Sequence, residues 1–434
     1  MRKITGVSAP HLKNTALYVP DMIPPPAEVR LLMKMHSGAP AKPIVNVGFP
    51  VKIGQLIAEA DTSGRVSSPV HASVSGKIKS IDEYDLITGE KAVSVTIASD
   101  GKQAIYGWIA PPVVTNTAEF LDAVQNSGVV GLGGAGYPTA PKLTLKKSAK
   151  LDYILINGAE CEPYITSDTR TMVDEPEYVW KGAQFLKEYL TPKNILICIE
   201  DNKPEAIKKL ENLCRGVPGI GVRVLPSRYP QGERKVLVYN VTGRIVPEGA
   251  RLTDVGCIVV NCTTVAVFAK YIETGMPLVS RCVTVDGSAV KTPKNVIAPI
   301  GTPIRELFDF CGGLSDDVKK IIMGGPMMGA AVPSLDMPTV KVTSALLAFS
   351  TKDAELREPS ACIKCGRCIE KCPMKLMPSF IEDAFELKKI ELLKRYKVNM
   401  CAECACCAYL CPSKRPLSQV MSLSKNMLWE ASKK

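Results

Sequence analysis

From Val45 to Ile81 apolar residues alternate with glycines and polar residues: Val51-Lys-Ile-Gly-Gln-Leu-Ile-Ala, then Ser68-Pro-Val-His-Ala-Ser-Val-Ser-Gly-Lys-Ile. Short apolar runs separated by turn residues predict a small all-β unit. Further on the pattern changes. Phe120, Leu121 and Val124 predict a helix over 117–126. Apolar runs at 152–157, 195–199 and 222–225 read as strands, with a helix over 204–213 between the last two. This alternation predicts an α/β layer. From Arg281 to Gly329, short strands such as Val283-Thr-Val-Asp, a helix over 303–311 and Gly/Pro turns predict a compact α+β module. Phe380, Ile381, Ala384, Phe385, Leu392 and Leu393 recur at helical intervals, which predicts one amphipathic helix between Pro378 and Met400.

A chain of 434 residues with this many changes of pattern is multidomain. Its hydrophobic (46%) and charged (22%) fractions exclude a disordered chain. The longest uncharged stretch, Val255 to Ala269, contains Asn261, Thr263 and Thr264 and is too short to span a membrane. No export signal precedes the pattern, so the chain reads as cytoplasmic. The net charge of +11 suits an acidic partner. Only His11, His36 and His71 are present, which argues against several histidine-based centres.

Sixteen cysteines change the picture most. In a reducing compartment, clustered cysteines point to metal, not to disulfides. One run is Cys362-Ile-Lys-Cys365-Gly-Arg-Cys368-Ile-Glu-Lys-Cys372-Pro373; the other is Cys401-Ala-Glu-Cys404-Ala-Cys406-Cys407-Ala-Tyr-Leu-Cys411-Pro412. Both contain the C-x2-C-x2-C-x3-C-P spacing of two-cluster ferredoxins, in which the fourth cysteine of each run serves the other cluster. This assigns Cys362, Cys365, Cys368 and Cys411 to one [4Fe–4S] cluster and Cys401, Cys404, Cys407 and Cys372 to the other. Cys406 breaks the spacing and reads as a buried residue against the cluster shell. A pair of zinc sites is the rival, but zinc favours separated C-x2-C pairs or Cys/His sets.

Gly131-Leu-Gly133-Gly134-Ala-Gly136-Tyr137-Pro138-Thr139 satisfies G-x-G-x-x-G by letter. A Rossmann turn needs a strand before it and a helix opening within it. Here a helix precedes, and Pro138 and Pro141 interrupt the residues beyond. That leaves a glycine loop whose backbone can approach a phosphate or a flat ring, with Lys142 as neutralising cation. The 152–157 strand runs into Gly158-Ala-Glu160-Cys161-Glu162-Pro163-Tyr164, where an extended segment would place both carboxylates on one side. Ligands of open α/β sheets bind at such strand ends.

Together these motifs resemble the RnfC family, the peripheral NADH-oxidising subunits of Rnf ferredoxin:NAD+ oxidoreductases. More remotely they resemble the flavin-bearing subunit of respiratory complex I. The resemblance rests on the glycine loop, Ile156-Asn-Gly-Ala-Glu-Cys-Glu-Pro163, Tyr229-Pro-Gln-Gly-Glu233, Met323-Gly-Gly-Pro-Met-Met-Gly329 and both cysteine runs. It implies a barrel-sandwich module over 1–112, an α/β FMN- and NADH-binding domain over 113–280, an SLBB-type β-grasp domain over 281–350, and a helical ferredoxin-like domain with two clusters over 351–434.

By the same resemblance Gly131, Gly133, Gly134, Gly136, Lys142, Asn157 and Asn261 would hold FMN. Tyr137, Glu160, Glu162 and Glu233 would face NADH, with Glu160 and Glu162 closest to the chemistry. The flavin would take a hydride and release single electrons to the clusters. Expected partners are ferredoxin or another iron–sulfur subunit and membrane-embedded Rnf-type subunits. That makes a hetero-oligomer on the cytoplasmic membrane face, with no nucleic acid. Departures from the pattern are Ala140-Pro141, Ala159, and a Gln231-Gly-Glu turn one glycine short. Two alternatives stay open: the NADH-oxidising subunit of a soluble folate or cobalamin reductase, and a non-catalytic iron–sulfur docking subunit.

Overall fold

The computed structural model describes residues 6–146 and 150–433. Its first body holds a four-stranded sheet in the order Glu28–Leu32, Lys91–Ser99, Gly76–Asp85, Pro50–Val51. Against it lies a three-stranded sheet of Lys42–Pro43, Leu56–Glu59 and Val70–His71. Val29 and Leu31 alternate inward with Arg30 between them, and Ile57, Ile78, Val95 and Ile97 complete the core. This is the alternation that the glycine-punctuated pattern implied.

The second body is a four-stranded parallel sheet in the order Ile220–Leu225, Asn194–Glu200, Tyr153–Gly158, Cys257–Asn261. Ile154, Leu155 and Ile156 are fully buried, as are Ile195 and Ile197, because helices cover both faces of a parallel sheet. The 117–126 helix has its expected bounds, capped by Asn116. The strand ends at Gly158, Glu200, Leu225 and Asn261 share one edge, and every motif of the central region gathers there.

The third body is a six-stranded sheet in the order Asp21–Met22, Lys294–Pro299, Ser280–Asp286, Ala345–Ser350, Val318–Met323, Ala330–Ala331, packed on the Ile304–Phe310 helix. Its first strand comes from the N-terminal segment. Asp21 and Met22 pair with Val296 and Ile297, and Val7 pairs with Tyr229. The N-terminal segment thus leaves its own module and satisfies edge groups of two other bodies. Lys341 locks a three-way junction. Its ammonium donates to Ser68 Oγ at 3.1 Å, Pro69 O at 2.6 Å and Gly128 O at 2.7 Å. Burial pushes it down to about 7, and pushes His36 and His71 beside it to about 4 and about 3. Those two histidines belong to the scaffold.

The C-terminal body is helical. The single helix expected over 378–400 is two, Pro378–Glu386 and Ile390–Arg395, followed by a 3-10 turn at Val398–Met400. Lys388 has φ +52, its N–H donates to Phe385 O, and the N–H of Lys389 donates to Ala384 O. That is a Schellman stop built on lysine instead of glycine, which left no break in the sequence pattern.

Candidate functional site

The glycine loop closes on itself. Gly131 N–H donates to Tyr137 O at 2.8 Å and Gly136 N–H to Gly131 O at 3.0 Å. Leu132 N–H donates to Thr264 Oγ1 at 2.9 Å, which fixes the loop to the start of the Cys262–Thr274 helix. Pro141 does not prevent a short helix at Thr139–Leu143, because the first turn needs no donor there. The tip, Gly133 to Ala135, is exposed, and Tyr137 is exposed beside it. The N–H groups of Gly133 and Gly134 have no acceptor among the described residues. Nothing lies within 4 Å of where a Gly134 Cβ would stand, whereas one on Gly133 would meet the Asn261 amide at 3.2 Å. Such an open row of donors fits a flavin phosphate. Half-buried Lys142 has no partner among the described residues. Burial, with Arg234 nearby, lowers its ammonium to about 8. A cation without a counter-charge suits an anionic ligand.

Asn261 caps the Cys262–Thr274 helix through Thr264 N–H at 3.0 Å, and its amide donates to Asp168 Oδ2 at 2.6 Å. Thr263 donates to the other Asp168 oxygen at 2.6 Å. Asp168 opens the Ser167–Asp174 helix, whose start is held by Glu160. The Glu160 carboxylate accepts from Asp168 N–H at 2.6 Å and from the Thr169 N–H and hydroxyl. Gly133, Asn261, Asp168 and Glu160 therefore form one chain of contacts from loop tip to acidic turn.

The turn is not the extended segment that would put both carboxylates on one side. Glu160 has φ +47 and Tyr164 φ +69. Glu162 instead reaches the β-grasp domain, accepting from Met327 and Met328 N–H, both at 3.0 Å. The close approach requires Gly325, where a Cβ would stand 2.3 Å from the Glu162 carboxyl. Burial raises both Glu160 and Glu162 to about 7. Asn157 spends its amide on Gly232 O at 2.9 Å and its carbonyl oxygen on Ala159 N–H at 3.1 Å. Glu233 caps the Arg234–Thr242 helix through the N–H groups of Lys235 and Val236. In the shortened Gln-Gly-Glu turn it therefore has a structural task.

Residues that sequence reasoning missed complete the site. Lys203 is buried and donates to Ala159 O at 2.7 Å and Glu200 at 3.0 Å. Lys13 crosses over the acidic turn from the N-terminal segment. Asp168 had a usable signal, since Thr166-Ser-Asp-Thr marks a helix start. The two lysines had none.

Cysteines of the two runs come together in the C-terminal body. Cys372 leaves its own run and lines a cavity with Cys401, Cys404 and Cys407, and with buried Cys406. Leu376 N–H donates to Cys372 Sγ at 3.4 Å and Glu403 N–H to Cys401 Sγ at 3.3 Å, the contacts that tune a cluster's potential. Among the described residues no three His, Cys, Asp or Glu side chains converge tightly enough for one metal ion. In the other set Cys362 and Cys365 are exposed, and Cys368 and Cys411 are half-buried. Ser360 N–H to Ser413 O at 3.0 Å and Ser413 Oγ to Ala361 O at 2.9 Å draw the Cys362 loop to the Cys411 end. The Cys372-containing set lies against the flavin domain: Cys404 and Cys406 share an apolar cluster with Val7 and Tyr229, bordered by Cys161.

Comparison with known proteins decides the family. A relative from Clostridium ljungdahlii, the C subunit of the proton-translocating ferredoxin:NAD(+) oxidoreductase complex, is 39% identical over 85% of this chain and 81% of its own length. The chain belongs to the RnfC family. The Na(+)-translocating counterpart from Acetobacterium woodii is 40% identical over 86% of this chain and 85% of its own. The C subunit of the ion-translocating oxidoreductase complex of Pseudomonas aeruginosa is 38% identical over 86% of this chain but only 49% of its own. Family models match in order: the RnfC barrel sandwich hybrid domain at 2–102, the Nuo51 FMN-binding domain at 124–270, the SLBB domain at 282–331 and a 4Fe-4S dicluster domain at 354–412. The RnfC-family chain thus has FMN and two [4Fe–4S] clusters as its cofactors. A NAD+-reducing [NiFe]-hydrogenase structure shares the fold, with a TM-score of 0.50 and 17% identity over 64% of this chain and 54% of that one.

Proposed function

We propose that this RnfC-family chain moves electrons between NADH and its two clusters, as the C subunit of an ion-translocating ferredoxin:NAD+ oxidoreductase. One observation carries the reading. The Cys372/Cys401/Cys404/Cys407 set packs against the flavin domain at Tyr229, while Cys362 and Cys365 of the other set face solvent. The buried set is then the near cluster and the exposed set the outlet to ferredoxin or a partner iron–sulfur subunit.

FMN held here would supply hydride acceptance from NADH and single-electron release to the clusters. The chain's own residues orient and neutralise. The Gly133 and Gly134 N–H groups and Lys142 would hold the flavin phosphate. Asn261 and Asp168 set the loop floor, and Glu160, Glu162 and Tyr137 would border the nicotinamide side. No helix among the described residues is long and apolar enough to cross a membrane. Attachment on the cytoplasmic face would therefore run through membrane-embedded partners.

The test is an anaerobic NADH titration of protein loaded with FMN, iron and sulfide. Both flavin and cluster absorbance should bleach, and after rapid mixing with NADH the flavin change should come first. A flavin that binds but stays oxidised under excess NADH leaves a docking role as the surviving reading.

A further inference from the structure

We propose that Lys13, brought in by the N-terminal segment, is a positioning residue for the flavin-side chemistry: its ammonium holds the Glu160–Ile165 turn in shape. The inference rests on the proposed oxidation of NADH. The segment is anchored on both sides of Lys13. Val7 and Tyr229 exchange backbone hydrogen bonds of 2.7 and 3.0 Å. Thr15 Oγ1 meets Thr166 Oγ1 at 2.6 Å, and Asn295 donates to Thr15 O at 3.0 Å. Between these anchors Tyr164 N–H donates to His11 O at 3.0 Å. Lys13 Nζ then donates to three carbonyls of the turn: Glu160 O at 2.8 Å, Glu162 O at 2.8 Å and Ile165 O at 2.5 Å.

The turn needs such a clamp. Glu160 and Tyr164 both hold left-handed backbone without being glycine, a conformation that persists only where surroundings enforce it. Three carbonyls pointing at one ammonium also place a positive charge beside the Glu160 carboxyl. Burial raises that carboxyl, and Lys13 is the foremost opposing influence. The other charged or titratable groups around it are Asp168, Lys203, Glu200, Cys161, Cys262 and Cys282. Ionised Glu160 accepts from three donors at the start of the 167–174 helix, and protonation would set an O–H against one of them. Lys13 therefore favours both the backbone shape and the charge state that the cap requires. Without it, Glu160 stays protonated to higher pH.

The experiment compares wild type, Lys13→Met and Lys13→Arg as full chains loaded with FMN. Single-turnover bleaching by NADH is followed against pH, and amide hydrogen exchange is read over 160–166. In Lys13→Met the acid limb should move up by about one unit, slowing bleaching about tenfold below the limb. Exchange in the turn should quicken, and Lys13→Arg should return both toward wild type. A lower melting temperature with an unmoved limb and unchanged exchange would overturn the proposal. Wild type that never bleaches would remove the NADH reading instead, and the exchange comparison would still decide Lys13.

Discussion

Cys372→Ser should leave about four irons per chain in place of about eight, and the cluster lost should be the one named by the second run. Cys372 is the fourth cysteine of the first run, yet it lines a cavity with Cys401, Cys404 and Cys407. A serine oxygen is a hard ligand and a poor substitute for thiolate on iron. The flavin should still bleach with NADH, because no cysteine of that set belongs to the glycine loop. Electron delivery beyond it should stop, since the lost cluster is the one packed at Tyr229. Cys365→Ser is the control: it should spare the near cluster and abolish only the outlet. Iron content and the EPR signals of the dithionite-reduced variants separate the two. Should Cys372→Ser and Cys365→Ser abolish the same signal, the crossed ligation is wrong.

Lys203→Met should destabilise the flavin domain by about 3–5 kcal/mol, the cost of leaving a buried charge without its partner. Lys203 and Glu200 are both almost inaccessible, with side-chain exposures of 3% and 1%. Burial already raises the Glu200 carboxyl, and Lys203 is the main force against that rise. The same ammonium holds Ala159 O at the acidic turn, so FMN should also be lost more easily. The double variant Glu200→Gln with Lys203→Met removes the stranded charge and should recover much of the loss. Urea unfolding followed by flavin fluorescence gives both numbers. A single-variant loss below about 1 kcal/mol would mean that the pair contributes only what an exposed one does.

The clusters and the site differ in how far the sequence reveals them, and the reason is chain distance. Three of the four cysteines assigned to each cluster lie within one short run, so spacing alone proposes them, and Cys372 is assigned across to the other set because a proline follows it. The three strands between Asp152 and Leu225 and the helix over 204–213 were equally legible, because period is local, whereas the helices Ser167–Asp174 and Pro176–Leu190 went unread. The 378–400 region misled because Lys388 takes a conformation usually left to glycine. Glu160, Glu162 and Glu233 read as three acids in two motifs. Nothing near them in sequence says that their acceptors are met by backbone N–H groups, those of Met327 and Met328 from another domain.

The sequence by itself determined the inventory: a glycine loop, an acidic strand end, two cysteine runs of the same ferredoxin spacing and the order of four bodies. Only the tertiary structure decided which cluster stands near the flavin domain, that Asp21 and Met22 complete a distant sheet, and that Lys13 and Lys203 grip the acidic turn. Buried donors and acceptors must find partners wherever the fold brings them. For these groups the partner lies far along the chain, where no local pattern records it.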